Sequence, residues 1–284
     1  MVDFDDRTLE RAGVLSDGWG RHIIGGGART AGPPRFDSAQ HGEVIVSEIE
    51  EGRVVIVTGA GSGVGEATVR TLHRTGHRVA LAGRTTERLQ RVADDLGSSC
   101  LVVPTDLAQP ESCERLIART IEHFGRLDAL VNNAGHLEVV PIGELDHHML
   151  ERSFRTNAIG PILLVKHAWR HFVESGAGCI VNISSMASLD PLPHVTAYAA
   201  GKSALDSLTR SILAERPATS IRAFTISLGA VETDMLRSLV DHDTLPSHEC
   251  LTPDQVASHI CELIDGVHDH REGEVMTYRK QDLD

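Results

Sequence analysis

The sequence predicts an α/β protein whose parallel β-sheet is doubly wound, with helices covering both of its faces. Short apolar runs rich in Val, Ile, Leu and Ala alternate along the chain with longer segments of helical periodicity. Parallel neighbours in a sheet need crossover helices, so this alternation favours a parallel sheet. A glycine-rich turn follows the first apolar run, at the edge where such sheets bind ligands.

The regular alternation begins near residue 52. The first apolar run, residues 54–57, has no polar positions, which is typical of a strand buried on both faces. The other predicted strands are residues 79–82, 100–103, 127–131, 178–183, 221–227 and 274–278. The predicted helices are residues 64–74, 87–96, 112–124, 149–174, 195–214 and 253–263. The longest should break near Pro161, whose nitrogen cannot donate a helical hydrogen bond.

Residues 1–51 differ in composition from the rest and are predicted to be a largely flexible extension. Residues 25–27 are all Gly and residues 32–34 read Gly-Pro-Pro, with little apolar periodicity around them. Such a segment buries too little apolar surface to offset the entropy of ordering. A short helix near residues 5–14, and packing of the segment on a partner subunit, are the alternatives. Residues 52–284 are predicted to form a single domain, a size that one hydrophobic core supports.

Charge and cysteine content argue against several classes of protein. The formal net charge is −13, so no basic surface for nucleic acid is expected. The five cysteines include no C-x-x-C pair, so neither a disulfide framework nor a zinc site is predicted, and a reducing cytoplasm is expected. The cysteines are Cys100, Cys113, Cys179, Cys250 and Cys261.

The sequence also predicts no membrane partner and no metal site. No apolar run reaches the roughly 18 residues that a membrane span needs. The first six residues carry three acids and no apolar run, which argues against a secretory signal. The adjacent pair His147-His148 would point its rings in different directions on a helix, and no H-E-x-x-H motif occurs.

The turn after the first strand has the spacing G-x-x-x-G-x-G, at Gly59, Gly63 and Gly65. Glycines here let the chain turn sharply and let its backbone approach a pyrophosphate. The helix that follows would point its N-terminal amides at that anion. A plain tight turn is the alternative interpretation of this feature taken alone.

Four further segments change the interpretation of the glycine turn. They are Asn132-Asn133-Ala134-Gly135, Asn157, Ser185, and Tyr198-Ala199-Ala200-Gly201-Lys202. In order and spacing, residues 52–280 resemble the short-chain dehydrogenase/reductase superfamily in its common single-domain form, which has a Rossmann-type fold. The chain departs from the family at Leu228, where Pro is usual, and it lacks the glycine-rich ending common in tetrameric members.

The resemblance implies a role for each matching position. The implied catalytic residues are Ser185, Tyr198, Lys202 and Asn157. The implied cofactor-binding residues are Gly59, Ser62, Gly63, Val64, Gly65, Arg84, Asp106, Leu107, Asn133, Ala134, Gly135, Tyr198, Lys202, Gly229 and Thr233. The expected substrate-binding residues are Ser185, Tyr198 and His194, with no metal in the reaction.

These residue types suit hydride chemistry on a carbonyl or an alcohol. Tyr198 and Lys202 are four residues apart, so they share one face of a helix. An ammonium beside a phenol favours the phenolate and so lowers the pKa of the tyrosine. Tyr198 would then act as general acid or base, and Ser185 would hold the substrate oxygen. The resemblance implies that Asn157 fixes a water that resupplies the proton.

The end of the second strand predicts the cofactor. NAD-binding folds place an acid near this point, and here Gly83 is followed by Arg84, which suits a 2′-phosphate. NADP(H) is therefore preferred, with NAD(H) as the alternative. The candidate substrate wall is mostly apolar, which favours an uncharged carbonyl compound or secondary alcohol. It consists of His136, Leu137, Met186, Leu189, His194, Met235 and Leu236.

The function predicted is therefore an NADP(H)-dependent oxidoreductase acting on a carbonyl or secondary alcohol. Two alternatives remain open: an NAD-dependent alcohol dehydrogenase of the same family, and a regulator that binds cofactor without turnover. A homo-oligomer, dimer or tetramer, is expected from the resemblance. The segment from about residue 230 to residue 250 is expected to act as a lid over the substrate.

Removal of residues 1–48 should leave a folded protein that still binds cofactor, because this composition adds little to a core. The melting temperature and the mass in solution of the truncated and full-length proteins measure the effect. A steep fall in melting temperature, or a change of oligomeric mass, would mean that the extension packs on the domain or on a neighbour.

Overall fold

The computed structural model describes residues 52–217, 220–268 and 271–282. Its strands are β1 (Val54–Thr58), β2 (Arg78–Gly83), β3 (Cys100–Pro104), β4 (Ala129–Asn132), β5 (Ala177–Ser185), β6 (Ser220–Leu228) and β7 (Val275–Tyr278). They form a sheet of order β3-β2-β1-β4-β5-β6-β7 in which each neighbouring pair is parallel. The predicted fold class is confirmed. The proposed extension lies outside the described residues, and the division of the chain at residue 52 stays a prediction.

Helices cover both faces of this sheet. They are α1 (Gly63–Arg74), α2 (Thr86–Asp94), α3 (Pro110–Phe124), α4 (His147–Phe154), α5 (Gly160–Ser175), α6 (Thr196–Glu215), α7 (Asp234–Arg237) and α8 (Pro253–Asp265). Successive side chains of a strand point to opposite faces. In β1, Val55 and Val57 pack with α1, α2 and α8, whereas Ile56 packs with α3, α5 and α6. Strand β1 is almost entirely apolar because both of its faces are buried.

The topology fixes where a ligand can bind. From β1 the chain passes to β2 and β3 on one side, and it returns to β4 on the other side of β1. The crossovers after β1 and β4 therefore diverge, which leaves a crevice beyond the carboxyl ends of these two strands. The glycine turn follows β1 and the Asn133 segment follows β4, so both lie at this crevice.

A buried chain of hydrogen bonds fixes α6 against the sheet. The amide of Asn132 donates to Asn182 Oδ1 at 2.8 Å, and the amide of Asn182 donates to Thr209 Oγ1 at 2.8 Å. The hydroxyls of Thr209 and Thr225 are 2.6 Å apart. Buried polar groups that find partners specify one arrangement of the elements that carry them. This chain links β4, β5 and β6 to α6, the helix that carries Tyr198 and Lys202.

The boundaries of some elements differ from the prediction. The predicted helix over residues 149–174 is two helices, α4 and α5, joined by a π-helical turn at Arg155–Ile159 just before Pro161. Strand β5 runs to Ser185 and so includes a residue predicted to follow the strand. The short helix α7 was not predicted, because four residues are too few to carry a periodic pattern. Among the described residues, no helix is long and apolar enough to cross a bilayer.

Candidate active site

A cavity of about 600 Å³ opens over the carboxyl ends of the central strands. It brings together most of the residues predicted for the site. Those on its wall are Gly59, Ser62, Gly63, Val64, Arg84, Asp106, Leu107, Asn133, Ala134, Gly135, Ser185, Tyr198, Lys202, Gly229 and Thr233. Of the other predicted site residues, Gly65, Asn157 and His194 are not on the wall.

The glycine turn has the backbone geometry that the sequence requires. Gly59 has φ +68° and Gly63 has φ +53°, a region that side chains other than glycine rarely adopt. A Cβ on Gly65 would collide with the carbonyl oxygen of Gly59, so Gly65 allows α1 to pack closely against the turn. Gly63 and Val64 line the cavity, so the N-terminus of α1 lies at its wall. The side chain of Ser62 makes no capping bond there. Partnerless amides and a positive dipole end suit a pyrophosphate.

Thr58 ties the turn after β1 to the segment after β4. Its hydroxyl donates to the carbonyl of Val131 at 3.1 Å and accepts from the N–H groups of Asn133 at 3.0 Å and Ala134 at 3.1 Å. The side-chain amide of Asn133 donates back to the carbonyl of Thr58 at 2.8 Å. Asn133 therefore links the segment after β4 to the end of β1, next to the glycine turn. Sequence reasoning missed Thr58, although the Thr-Gly pair at the end of the strand marked it.

Lys202 is buried one helical turn after Tyr198. Its ammonium donates to the carbonyl of Ile183 at 2.7 Å and lies 5.8 Å from the centre of the Tyr198 ring. Burial lowers the pKa of Lys202 to about 8, and the carboxylate of Asp206 opposes this shift. The ammonium is therefore still the main form at neutral pH, close to the phenol.

Ser185 and Tyr198 both line the cavity, and Ser185 is close enough to Tyr198 to affect the pKa of its phenol. Burial raises the pKa of Tyr198, against the lowering predicted from the sequence, and the interaction with Ser185 opposes that rise. The phenol therefore holds its proton at neutral pH. Ser185 also accepts a bond from the N–H of Ala187 at 3.2 Å. The neighbouring Ser184 donates instead to the carbonyl of Lys202 at 3.2 Å, which fixes α6 on β5.

Asn157 lies buried in the π-helical turn, behind the cavity wall. Its amide donates to the carbonyl of His136 at 2.7 Å and to the hydroxyl of Ser153 at 3.1 Å. Its Oδ1 accepts from the N–H of His136 at 2.8 Å. A Cβ on Gly201 would press on Asn157, so this glycine lets α6 approach the turn. The side chain of Asn157 thus positions the backbone that follows Gly135.

The family of the chain follows from its match to known proteins. Residues 53–244 match the short chain dehydrogenase family. The chain belongs to this family. It is 34% identical over 182 residues to an uncharacterized oxidoreductase of Staphylococcus aureus strain MRSA252, covering 64% of this chain and 79% of the relative. It is 30% identical over 210 residues to versicolorin reductase of Emericella nidulans, covering 72% and 79% respectively.

A solved structure supports the same assignment. The 3-ketoacyl-(acyl-carrier-protein) reductase from Brucella melitensis, complexed with NADH, superposes with a TM-score of 0.77 at 26% identity. The match covers 81% of this chain and 98% of that chain. This short-chain dehydrogenase/reductase is therefore an oxidoreductase with a fold that binds nicotinamide nucleotides.

His194 occupies a position that sequence reasoning did not anticipate. It has φ +65°, the one residue other than glycine with positive φ among those described. Its carbonyl accepts a hydrogen bond from the N–H of Val140 at 2.7 Å. His194 thus shapes the turn that leads into α6. Leu137, Met186, Met235 and Leu236 line the cavity as expected, whereas His136 and Leu189 do not.

Several residues of the cavity wall were missed by sequence reasoning. Thr85 and Arg88 follow Arg84 on the wall, and the spacing of four between the two arginines was an available signal. Leu192 precedes α6 and adds to the apolar side. Arg279 reaches the wall because the N–H of Gly229 bonds the carbonyl of Tyr278 at 3.0 Å, which places the end of β7 beside Gly229. No local pattern predicts such a tertiary contact.

Arg84 and Arg88 supply positive charge at the second-strand end of the cavity. Both are exposed, and neither has an ion pair or a hydrogen bond within the part of the chain that the structure describes. Arg91, on the same helix, differs because it bonds Glu66 at 3.0 Å and the carbonyl of Gly61 at 3.3 Å. The guanidinium groups of Arg84 and Arg88 can therefore meet an anion without first breaking a pair.

The segment expected to form a lid has its own small core. Val240, Leu245 and Cys250 are buried together against Leu236. The guanidinium of Arg237 donates to Glu232 at 2.7 Å and to the carbonyls of Asp241 and Leu245 at 3.1 and 2.8 Å. Thr233 and Glu232 from this segment line the cavity. The segment is thus a small packed unit attached to one wall.

Because the core of this unit is small, we expect residues 230–250 to exchange amide hydrogens faster than the central strands when no ligand is present. Contacts between bound NADPH and the wall near Thr233 should then slow that exchange. Hydrogen–deuterium exchange with and without NADPH measures this, and peptides from α3 serve as the control. Equal exchange in both states would count against a lid.

Proposed function

We propose that this short-chain dehydrogenase/reductase is an NADP(H)-dependent oxidoreductase that acts on a carbonyl compound or a secondary alcohol, with Tyr198 as the general acid/base. One observation carries the proposal. Ser185, Tyr198 and the buried Lys202 line the cavity that the glycine turn also lines, and the Lys202 ammonium lies 5.8 Å from the centre of the Tyr198 ring. The proposed proton donor Tyr198, the hydroxyl of Ser185 and the glycine turn proposed to bind the nucleotide thus line the same cavity.

The cavity wall fits a nicotinamide nucleotide. Gly59 and Gly63 place no side chain on the wall, and the N-terminus of α1 provides amides for the pyrophosphate. Gly135 and Thr233 would line the nicotinamide end of the site, and Asp106 the adenine end. When bound, the cofactor supplies or accepts the hydride, whereas the protein supplies position and electrostatics.

Tyr198, Ser185 and Lys202 have separate roles in the proposed proton transfer. Since burial keeps the phenol protonated at neutral pH, Tyr198 can donate to a carbonyl oxygen. Ser185 would hold that oxygen by a second hydrogen bond, and the Lys202 ammonium would stabilise the phenolate that remains. In the reverse direction the same phenolate takes the proton of an alcohol. The three groups act as one unit because they share β5 and α6.

Asn157 is proposed to support proton resupply through its main chain. Its side-chain amide is engaged by His136 and Ser153. Pro161 lies four residues further on and has no N–H, so it cannot make the α-helical bond to the carbonyl of Asn157. This carbonyl is the better acceptor for a water that leads toward Lys202. We therefore assign the water that the resemblance implied to the backbone of Asn157 rather than to its side chain.

The apolar part of the wall indicates the substrate class. Leu137, Met186, Leu192 and Met235 line the same cavity as Ser185 and Tyr198. Such a wall favours a medium-sized uncharged carbonyl compound or secondary alcohol. Two of the similar proteins are named as reductases, which supports reduction as the direction to test first.

Steady-state assays with NADPH over a panel of ketones and aldehydes should find turnover that NADH supports less well. The same panel of secondary alcohols with NADP⁺ tests the reverse direction. Turnover confined to alcohols with NAD⁺ would favour the alternative, an NAD-dependent alcohol dehydrogenase. Binding of NADPH without turnover of any substrate would support a regulator instead.

A cytoplasmic homo-oligomer is proposed as the working form. The five cysteines, all among the described residues, form no disulfide with one another, as a reducing compartment favours. Ile159, Ile162 and Val173 are exposed along α5 and the turn before it, which suits contact with a second copy. A monomeric mass by light scattering would contradict the oligomer, and disulfides in the isolated protein would argue against the reducing compartment.

A further inference from the structure

Two histidines and a glutamate converge on α8 and the segment that follows it. His259 and Glu262 lie on one face of the helix, and His268 lies in the segment that follows it. His259 Nδ1 is 3.4 Å from Glu262 Oε2, and His268 Nε2 is 3.1 Å from the same oxygen. The three ligand atoms all lie within 4.8 Å of one another. None of these residues lines the cavity.

We propose that His259, Glu262 and His268 form a binding site for one divalent transition-metal ion, with Zn²⁺ as the best match. Imidazole nitrogens and a carboxylate oxygen are ordinary zinc ligands, and three of them leave a fourth position for water. The site is separate from the oxidoreductase chemistry. It would join the end of α8 to the chain that leads into β7.

The distances fit a shared ion. Two ligands on one tetrahedral Zn²⁺, each at about 2.0–2.1 Å, lie about 3.3–3.4 Å apart. The two measured separations from Glu262 Oε2 are 3.4 and 3.1 Å. A separation of 3.4 Å is long for a hydrogen bond but ordinary for two atoms on the same ion. Only the two imidazole nitrogens would have to approach each other, and His268 lies in a loop that can adjust.

The contacts of the His259 ring suit the role of a metal ligand. The ring stacks on Tyr278 at 4.8 Å with an interplanar angle of 4°, which fixes its orientation. The nearby cation Arg271 is paired with Glu274 at 3.0 Å, which reduces its repulsion of a bound ion.

The sequence predicts no metal site here because its local spacing marks only two of the three ligands. The pair at positions 259 and 262 has helical spacing, but the third ligand comes from beyond the end of α8. Only the fold brings His268 back to Glu262. A spacing of H-x₂-E-x₅-H is not a recognised motif, so no sequence pattern marked it.

Isothermal titration of the untagged, metal-free, full-length protein with zinc chloride tests the proposal. We expect one tight equivalent and a higher melting temperature with zinc. His268→Gln and Glu262→Gln should each weaken binding at least about tenfold and remove the zinc-dependent rise in melting temperature. The double variant His147→Gln/His148→Gln removes another histidine pair, on α4, and should bind zinc as the wild type does.

X-ray absorption at the zinc edge gives an independent measurement. The one-equivalent complex should show two imidazole ligands and at least one oxygen ligand at about 2.0–2.1 Å. No tight equivalent in the wild type would overturn the proposal. So would unchanged affinity in His268→Gln, whose position in a loop leaves the helix intact. Loss of binding in the His147/His148 variant would assign the zinc to that pair instead and would also overturn it.

Discussion

Tyr198→Phe should lower kcat at least about a hundredfold, the low end of what a positioned general acid contributes. The substitution removes the hydroxyl that carries the proton and keeps the ring that packs in the cavity wall. Cofactor affinity should therefore change little. Steady-state rates on the best substrate of the panel, together with NADPH binding by fluorescence, measure both quantities.

The chain offers a matched control for this substitution. Tyr278 is the second of its two tyrosines, and its hydroxyl makes a long contact of 3.5 Å with the carbonyl of Gln255. Tyr278→Phe removes a phenol of the same kind outside the proposed chemistry, so kcat should stay near the wild-type value. Near-normal turnover by Tyr198→Phe would remove this residue from the mechanism.

The pH dependence of the wild type tests the same assignment. Burial raises the pKa of Tyr198, so the phenol keeps its proton at neutral pH and reduction has its donor there. Lys202 has a pKa of about 8 and loses its charge above that pH. Reduction should therefore decline as the pH rises past about 8, because the phenolate left by proton transfer loses its stabilising charge. A reduction rate that rises through this range would oppose these protonation states.

The fold and the nucleotide turn were predictable because they depend on local patterns. Val54 to Thr58 are apolar or strand-forming, and Gly59 and Gly63 supply positive φ where the chain must turn. Tyr198 and Lys202 were predictable because a spacing of four on a helix fixes their relation. In each case the spacing of the residues in the sequence determines their relative positions in the structure.

The rest of the site depends on contacts that no short interval encodes. The water expected at Asn157 is proposed for its carbonyl, because its side-chain amide bonds the backbone of His136. His194 was expected to contact substrate, but its left-handed backbone places it in a turn outside the cavity wall. Arg279 joins the wall only because β7 pairs with β6. Side-chain direction in loops follows from tertiary packing, which periodicity does not report.

NADPH should bind about ten- to a hundredfold more tightly than NADH. The second strand ends at Gly83, which offers no carboxylate for a ribose 2′-hydroxyl. Arg84 and Arg88 follow it on the cavity wall without partners among the described residues. One hydrogen bond to a charged group contributes roughly 1.5–3 kcal/mol, which gives the expected ratio. Because the arginines are exposed, the preference should shrink at high salt.

Arg84→Ala should reduce this preference, chiefly by weakening NADPH, and the decisive measurement is the pair of dissociation constants. Arg88→Ala measures how much the second guanidinium contributes to the preference for NADPH. Arg91→Ala is the control, because it removes a like charge that is already paired with Glu66. Only Arg84→Ala and Arg88→Ala should weaken the binding of NADPH more than the binding of NADH. Equal affinity of the wild type for NADPH and NADH would mean that the end of β2 does not select the cofactor.

Adding an acid at position 83 should turn the preference toward NADH. A Cβ on Gly83 would lie 3.3 Å from the Leu89 side chain, so any residue there requires a small shift of Leu89. Gly83→Ala/Arg84→Ala carries this steric cost without a charge, and Gly83→Asp/Arg84→Ala adds the carboxylate. The difference between these two variants isolates the acid, which should bond the ribose hydroxyls of NADH and repel the 2′-phosphate of NADPH. Identical cofactor ratios in the two variants would show that position 83 does not face the ribose.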